Sequence, residues 1–218
     1  MVELLDHYGS DWTVVNAARV SFSGEEWAQL PEGYTEEQGA KLISYLSEHK
    51  HMCPFRHPQI TIRCEAPVFL ARQLGKHQIG LVWSEESRRY RDHAPDFYVP
   101  LEWRKRPEGG IKQGSAGSFE GPDAEALDDA YIELLDRAVD LYEGMLEDGV
   151  APEMARMVLP QSMMVRWVWT GSLEAFSHMY KLRIDGHAQK EARDFAQELD
   201  TIMKELYPYS WSALCRSS

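Results

Sequence analysis

Between Leu74 and Tyr90 the chain sets Lys76, His77, Arg88 and Arg89 beside Glu85, Glu86 and the hydroxyls of Ser84 and Ser87. The protein as a whole is acidic, with a formal net charge of −12. Cations gathered against that background repel one another unless an anion joins them. An arginine fork meets a phosphate or carboxylate through two parallel hydrogen bonds, so the Arg88-Arg89 pair beside Ser87 points to a phosphate. The same residues also read as a solvated, salt-bridged helix face. Ser87 has the chemistry of a nucleophile, but no Gly-x-Ser-x-Gly elbow surrounds it. His77, with Lys76 and Gln73 as neighbours, is either a base or a structural hydrogen-bonding residue.

More cations follow. Arg156 stands in Ala155-Arg156-Met157-Val158-Leu159-Pro160, Arg166 in Val165-Arg166-Trp167-Val168-Trp169, and Lys181 and Arg183 in the run that ends at His187-Ala188-Gln189. Cations inside apolar runs need partners, because an unpaired buried charge is costly. Either they form ion pairs with the chain's carboxylates, or they converge with Arg89 on one anion. Arg183 and His187 are four apart and share a face of an unbroken helix, although Gly186 lies between them. The stretch from His49 through His51 and Cys53 to His57 invites a metal, but its spacing fits no zinc pattern. A histidine-rich helix end turned by Pro54 accounts for it, with a ligand-edge role open to His51, and no metal site is expected. No Gly-x-Gly-x-x-Gly or Walker sequence is present, so any dinucleotide is held in another way.

These residues must be carried by a mixed set of elements. Residues 35–48 read as a helix with Leu42, Ile43, Tyr45 and Leu46 on its apolar side. Gln59 to Ala66 alternates as a half-buried strand. Pro67 suits the first turn of a helix to about Gln78, on which Arg72, Gln73, Lys76 and His77 share one polar face. Asp96-Phe97-Tyr98-Val99 reads as a second strand, and the glycine-rich stretch 104–121 as a mobile surface loop or lid. A strong helical period runs over 123–148 and stops at Gly149. A further helical region begins near Pro152 and is interrupted by Pro160, residues 172–184 are helical, and a last helix covers 187–206. Few strands and much helix predict an α+β fold with helices on a small sheet, in one domain over 1–218.

At 218 residues, 44% of them hydrophobic, the chain can bury a core. The acidic balance argues against a general nucleic-acid partner, and no run of about 18 apolar residues crosses a membrane. The first residues lack a signal peptide's basic and apolar parts. Cys53, Cys64 and Cys215 read as reduced thiols of a cytoplasmic protein.

Seven stretches in order resemble the flavin-dependent thymidylate synthases: Ala17 to Phe22, His51 to His57, Ala66 to Gln73, Ser84 to Tyr90, Phe97 to Pro100, Ala155 to Pro160 and Leu182 to Gln189. The resemblance runs nearly end to end. It implies that family's fold, a homotetramer with active sites at subunit interfaces, and conversion of dUMP to dTMP. Methylenetetrahydrofolate would give the carbon and NADPH the hydride through FAD, with no cysteine attacking the uracil. By position it places dUMP on Gln73, Glu85, Ser87, Arg89, Arg156 and Arg183. Arg89 and Arg156 suit the phosphate, Arg183 would stabilise negative charge on the ring, and Ser87 and Arg183 are the catalytic assignments. Ser21, Cys53, Lys76, His77, Gln78, His178 and His187 would lie along FAD, with His51 near the flavin or folate edge.

The departures fall on the flavin side. Lys76-His77-Gln78 replaces the family's usual Arg-His-Arg, with one extra residue before Ser87, and Ser84 replaces an asparagine. Ser172 and His178 stand at two further asparagine positions. Three outcomes follow: thymidylate synthesis; a variant that hydroxymethylates the nucleotide or takes UMP; or a nucleotide-binding protein without chemistry.

Overall fold

The computed structural model describes residues 1–21, 26–90, 94–108 and 114–216. Phe22 of the first motif and residues 109–113 of the glycine-rich stretch lie outside the described residues. The elements run β1 (Val2–Tyr8), α1 (Asp11–Ala18), α2 (Glu36–Glu48), β2 (Gln59–Pro67), α3 (Val68–Leu74), β3 (Leu81–Glu85), α4 (Pro122–Glu147), α5 (Pro152–Ala155), β4 (Met164–Ser172), α6 (Leu173–Arg183), α7 (Lys190–Leu206) and α8 (Pro208–Cys215). The strands form one four-stranded sheet in the order β1-β2-β4-β3, so the α+β expectation holds.

The chain folds into two compact units whose sequences interleave. Met1–Cys64, Leu74–Ser84 and Val168–Ser218 make the first, and Glu65–Gln73 with Glu85–Trp167 make the second.

In the first unit β1 pairs antiparallel with β2, Val2 opposite Cys64 and Tyr8 opposite Gln59, with a register shift between Leu4 and Asp6. That bulge breaks the period of two, which is why β1 gives no strand signal in the sequence. β2 alternates as expected, burying Ile60, Ile62 and Cys64. Their side chains join Val14 and Val15 of α1, Ile43 of α2, Phe176 and Met179 of α6, and the α7 stripe Ala192, Phe195, Ala196, Leu199 and Met203 in the core. The fully buried Trp169 meets Trp83 edge-on at 5.4 Å and Phe176 at 5.5 Å between ring centroids. Gly171 is required here, because a Cβ would come within 2.6 Å of the Gly80 carbonyl oxygen. Helix α2 starts on a capping box at Thr35 and Gln38. The buried Asp11 carboxylate caps α8 from a distance, accepting the Ser210 amide at 2.7 Å and the Tyr209 amide at 3.0 Å.

The second unit is dominated by α4, a 26-residue helix whose predicted span is off by one residue at each end. Gly149, at φ 82°, ends it as expected. Tyr131 donates to the Tyr98 carbonyl at 2.7 Å, and the Trp103 indole donates to Asp128 at 2.7 Å. The flanks of the glycine-rich stretch pair with each other: the Lys105 amide donates to Gly117 at 2.7 Å and the Phe119 amide to Trp103 at 2.8 Å.

Four expectations need correction. Helix α3 stops at Leu74, not near Gln78, and Pro67 is the last residue of β2. Gly75 disfavours another helical turn, and the chain must reverse into β3. Asp96–Val99 makes only a single bridge, Phe97 opposite Met163. The region from Pro152 is one short helix and a 3-10 turn, Arg156–Val158, before β4 takes over. The last helix begins at Lys190, so Arg183 and His187 do not share a helical face.

Candidate active site

Arg183 closes α6, where a cation complements the negative end of the helix. His77 sits just beyond α3, its amide donating to the Leu74 carbonyl at 2.9 Å. Both belong to the first unit, and the Arg183 Nε–H donates to His77 Nε2 at 2.9 Å. Burial, and then the guanidinium charge, hold the His77 imidazole below its ordinary pKa. Burial also lowers Arg183 from its ordinary value, but a guanidinium keeps its charge in proteins. The pair is thus a fixed cation beside a neutral acceptor. Lys76 and Gln78, exposed, flank His77 in the turn that leads to Gly80, at φ 72°.

A cavity of about 680 Å³ opens in the same unit, lined among others by Lys50, Met52, Glu174, His178, Lys181 and Arg216. It brings His178 of α6 to the segment between His51 and Cys53. The His51 ring lies 6.1 Å from Tyr45, which also packs on His49 at 4.3 Å. Arg56 donates through Nε and Nη2 to both oxygens of Glu174, the latter at 3.1 Å. Glu174 is only 7% exposed, and its hydrogen bond, then its charge, raises Arg56 above its ordinary pKa. The one local signal for this pair is a carboxylate in the first turn of a helix otherwise apolar on that side. Ser21 and His187 are exposed, and the Asp185 carboxylate accepts the His187 amide at 2.8 Å. Among the described residues no group of histidines, cysteines and carboxylates is placed to hold a metal ion.

Cys53 is exposed and Cys64 buried. Burial pushes the Cys64 thiol strongly upward and raises Cys215 to about 12. An aromatic disulfide reagent at pH 8 is therefore expected to label Cys53 promptly and the other two only after unfolding. Rapid release of three thiols from folded protein would contradict the packing.

In the second unit the Ser87 hydroxyl accepts the Arg89 amide at 3.3 Å, and the Tyr90 amide donates to the Ser87 carbonyl at 3.1 Å. This tight turn, and no helix face, carries Ser87, Arg88 and Arg89. Arg89 Nε lies 3.7 Å from the Glu153 carboxylate, and Arg156 Nε donates to the Glu153 carbonyl at 3.4 Å. The two arginines expected on a phosphate therefore meet at one residue of α5. Arg166 does not join them. It projects from the exposed side of β4 and gives two hydrogen bonds to one Glu65 oxygen, at 3.0 and 2.9 Å. Glu65, with Glu86 and Asp96 further off, raises its pKa. The ion-pair reading holds for Arg166, because the alternation of β4 turns Val165 and Trp167 inward and Arg166 out.

The expected site residues thus divide cleanly. Gln73, Glu85, Ser87, Arg89 and Arg156 fall in the second unit; Arg183 and all of Ser21, His51, Cys53, Lys76, His77, Gln78, His178 and His187 fall in the first.

The family described as thymidylate synthase complementing protein matches residues 3–209. A flavin-dependent thymidylate synthase of Thermosipho africanus is 34% identical over 220 residues, covering 99% of this chain and 90% of that protein. The enzyme of the same description from Thermus thermophilus is 37% identical over 213 residues, covering 97% of this chain and 74% of that protein. Among solved structures, a UMP/dUMP methylase, PolB, from Streptomyces cacaoi bound with 5-Br dUMP is 32% identical with a TM-score of 0.85, covering 98% of this chain and 93% of that one. Its complex with 5-Br UMP gives 31% identity and a TM-score of 0.86, covering 98% and 92%. With relatedness of this extent across both units, the chain belongs to the flavin-dependent thymidylate synthase family.

Proposed function

We propose that this protein methylates dUMP to dTMP, taking the carbon from methylenetetrahydrofolate and the reducing equivalents from NADPH through FAD. The observation that carries this reading is the meeting of Arg89 and Arg156 at Glu153, beside the Ser87 turn. The Arg89–Glu153 contact is long and solvent-exposed, so it contributes little and exchanges readily for a phosphate. Gln73, Glu85, Ser87, Arg89 and Arg156 would hold the nucleotide, and the cationic Arg183 would stabilise the electron-rich ring. Ser87 serves here through its hydrogen bonds, as its hydroxyl is tied to the Arg89 amide and no general base is needed.

The cavity lined by Lys50, His178, Lys181 and Arg216, with Glu48 and Glu174 offsetting part of their charge, suits a dinucleotide in size, and Met52 and Leu214 form apolar walls. FAD held there, with Ser21, His51, Cys53, Lys76, His77, Gln78 and His187 also along it, would supply the hydride.

A second reading, UMP as an acceptor, is favoured by the pair of PolB complexes, one with each brominated nucleotide. One experiment tests both: purified protein is scanned for flavin absorbance, then given dUMP or UMP with methylenetetrahydrofolate and NADPH, and the product is weighed. A gain of about 14 mass units with NADPH oxidation is expected. Hydroxymethyl product without NADPH consumption, or nucleotide binding without flavin, would overturn the proposal.

We also infer a cytoplasmic homotetramer in which residues 1–218 act as one catalytic domain. Among the described residues no helix is long and apolar enough to cross a membrane. Leu127, Leu134 and Leu141 of α4 are spaced by seven and are 38%, 55% and 53% exposed, the seam of a helix that packs on another copy. Leu134→Glu is expected to shift the native mass from four chains to fewer in analytical ultracentrifugation. An unchanged mass would remove α4 from the interface.

A further inference from the structure

We propose that Lys50 is a phosphate-binding residue of the cavity in the first unit, a cation for which the fold accepts a strained backbone. This rests on the reading that a flavin dinucleotide occupies that cavity, and it names the group that meets the diphosphate.

The backbone gives the first observation. Helix α2 ends on two hydrogen bonds, the Lys50 amide to the Ser47 carbonyl at 3.1 Å and the His51 amide to the Leu46 carbonyl at 2.8 Å. This closure needs a left-handed residue at Lys50, which sits at φ 58°. Helix α4 closes in the same way, the Gly149 amide donating to Leu146 at 3.0 Å and the Val150 amide to Met145 at 2.8 Å. There a glycine, at φ 82°, takes the left-handed place. Among the described residues Lys50 is the one non-glycine residue with a positive φ. A Cβ is disfavoured in that conformation and glycine is not, so the helix end alone does not account for a lysine.

The second observation is where the residue stands. Lys50 lines the cavity of about 680 Å³ together with His178, Lys181 and Arg216. The two carboxylates on that wall have other partners: Glu174 is held by Arg56, and Glu48 lies 3.9 Å from Arg216. Among the described residues Lys50 itself makes no ion pair. The Ser47 hydroxyl donates to the Ala213 carbonyl at 2.9 Å, which ties the end of α2 to α8 across the same wall. Lys50 is thus a compact cation on an anchored turn, suited to a phosphate as a point charge.

The test uses the full-length protein, stripped of flavin, and three variants. Lys50→Gly removes both the charge and the strain. Its urea midpoint is expected to rise, with folding about fivefold more favourable, while its Kd for FAD weakens about ten- to thirtyfold. ADP, a diphosphate without a flavin, should lose affinity by a similar factor; riboflavin, which has no phosphate, should not. Lys50→Arg keeps a cation and is expected to bind FAD within about threefold of the unmodified protein. Lys50→Asn, neutral and tolerant of the left-handed region, should follow the glycine variant in binding. Unaltered FAD affinity in Lys50→Gly overturns the proposal. So does an equal loss for riboflavin, which would mean a reshaped cavity. So does a lowered urea midpoint, which would assign the lysine to the negative end of α2. If the unmodified protein binds ADP through Lys50 but takes up no FAD, the flavin reading fails and the phosphate contact stands. FAD uptake and dUMP methylation that are both indifferent to Lys50 would sink the contact alone.

Discussion

Arg183→Ala is expected to lower dUMP turnover by about two to three orders of magnitude while flavin content stays close to that of the unmodified protein. The reason is electrostatic. A nucleophilic pyrimidine carbon requires electron density on the ring, and a preoriented cation in a half-buried site stabilises that density far better than water does. Arg183 meets the conditions: it is partly buried and held through Nε by His77 at 2.9 Å. Arg183→Lys keeps a charge but loses the Nε–H and the planar fork, so a partial loss is expected. A second readout accompanies the first. With the guanidinium gone, the charge that helps hold His77 below its ordinary pKa disappears and only burial remains, so the His77 titration should move upward. The assignment fails if turnover survives the alanine substitution, or if flavin is lost and reconstitution restores normal kcat.

Trp169→Ala is expected to destabilise the protein by about 3–5 kcal/mol, read from urea unfolding of the full chain. Trp169 is fully buried and touches Trp83, Phe176 and Phe195 within the first unit. Truncation removes a large apolar area and leaves a cavity that the strand and the helices around it cannot close. Trp169→Phe should cost much less. It keeps a ring against the same neighbours and removes an indole N–H that has no hydrogen-bond partner among the described residues. Equal losses for both variants would mean that the indole's shape, and not buried area, sets the stability there.

Local signals were read well where one element's own chemistry decided the outcome. The α2 span follows from its apolar spacing, and α4 from its helical period and Gly149. The α7 stripe of Ala192, Phe195, Ala196, Leu199 and Met203 is buried as its period demands. Strands were harder. The bulge in β1 hides its alternation, and β3 is only five residues long. β4 follows a proline-interrupted helical pattern and holds an arginine between Val165 and Trp167, so its period of two becomes visible only once Glu65 supplies the partner on the outer face.

For the candidate site, the order and identity of motifs along the chain were enough to indicate the family, the anionic pyrimidine nucleotide and which arginines to watch, because guanidinium chemistry and motif order are properties of the chain itself. What only the folded molecule decided is who partners whom: that Arg166 is spent on Glu65, that Arg89 and Arg156 meet at Glu153, that Arg56 closes on the buried Glu174, and that Arg183 rests on a neutral imidazole. His77 and Arg183 are separated by 106 positions, and no local periodicity reports so distant a pairing. The direction of a hydrogen bond, and the charge left over after it forms, depend on packing that brings remote stretches together and excludes water from between them.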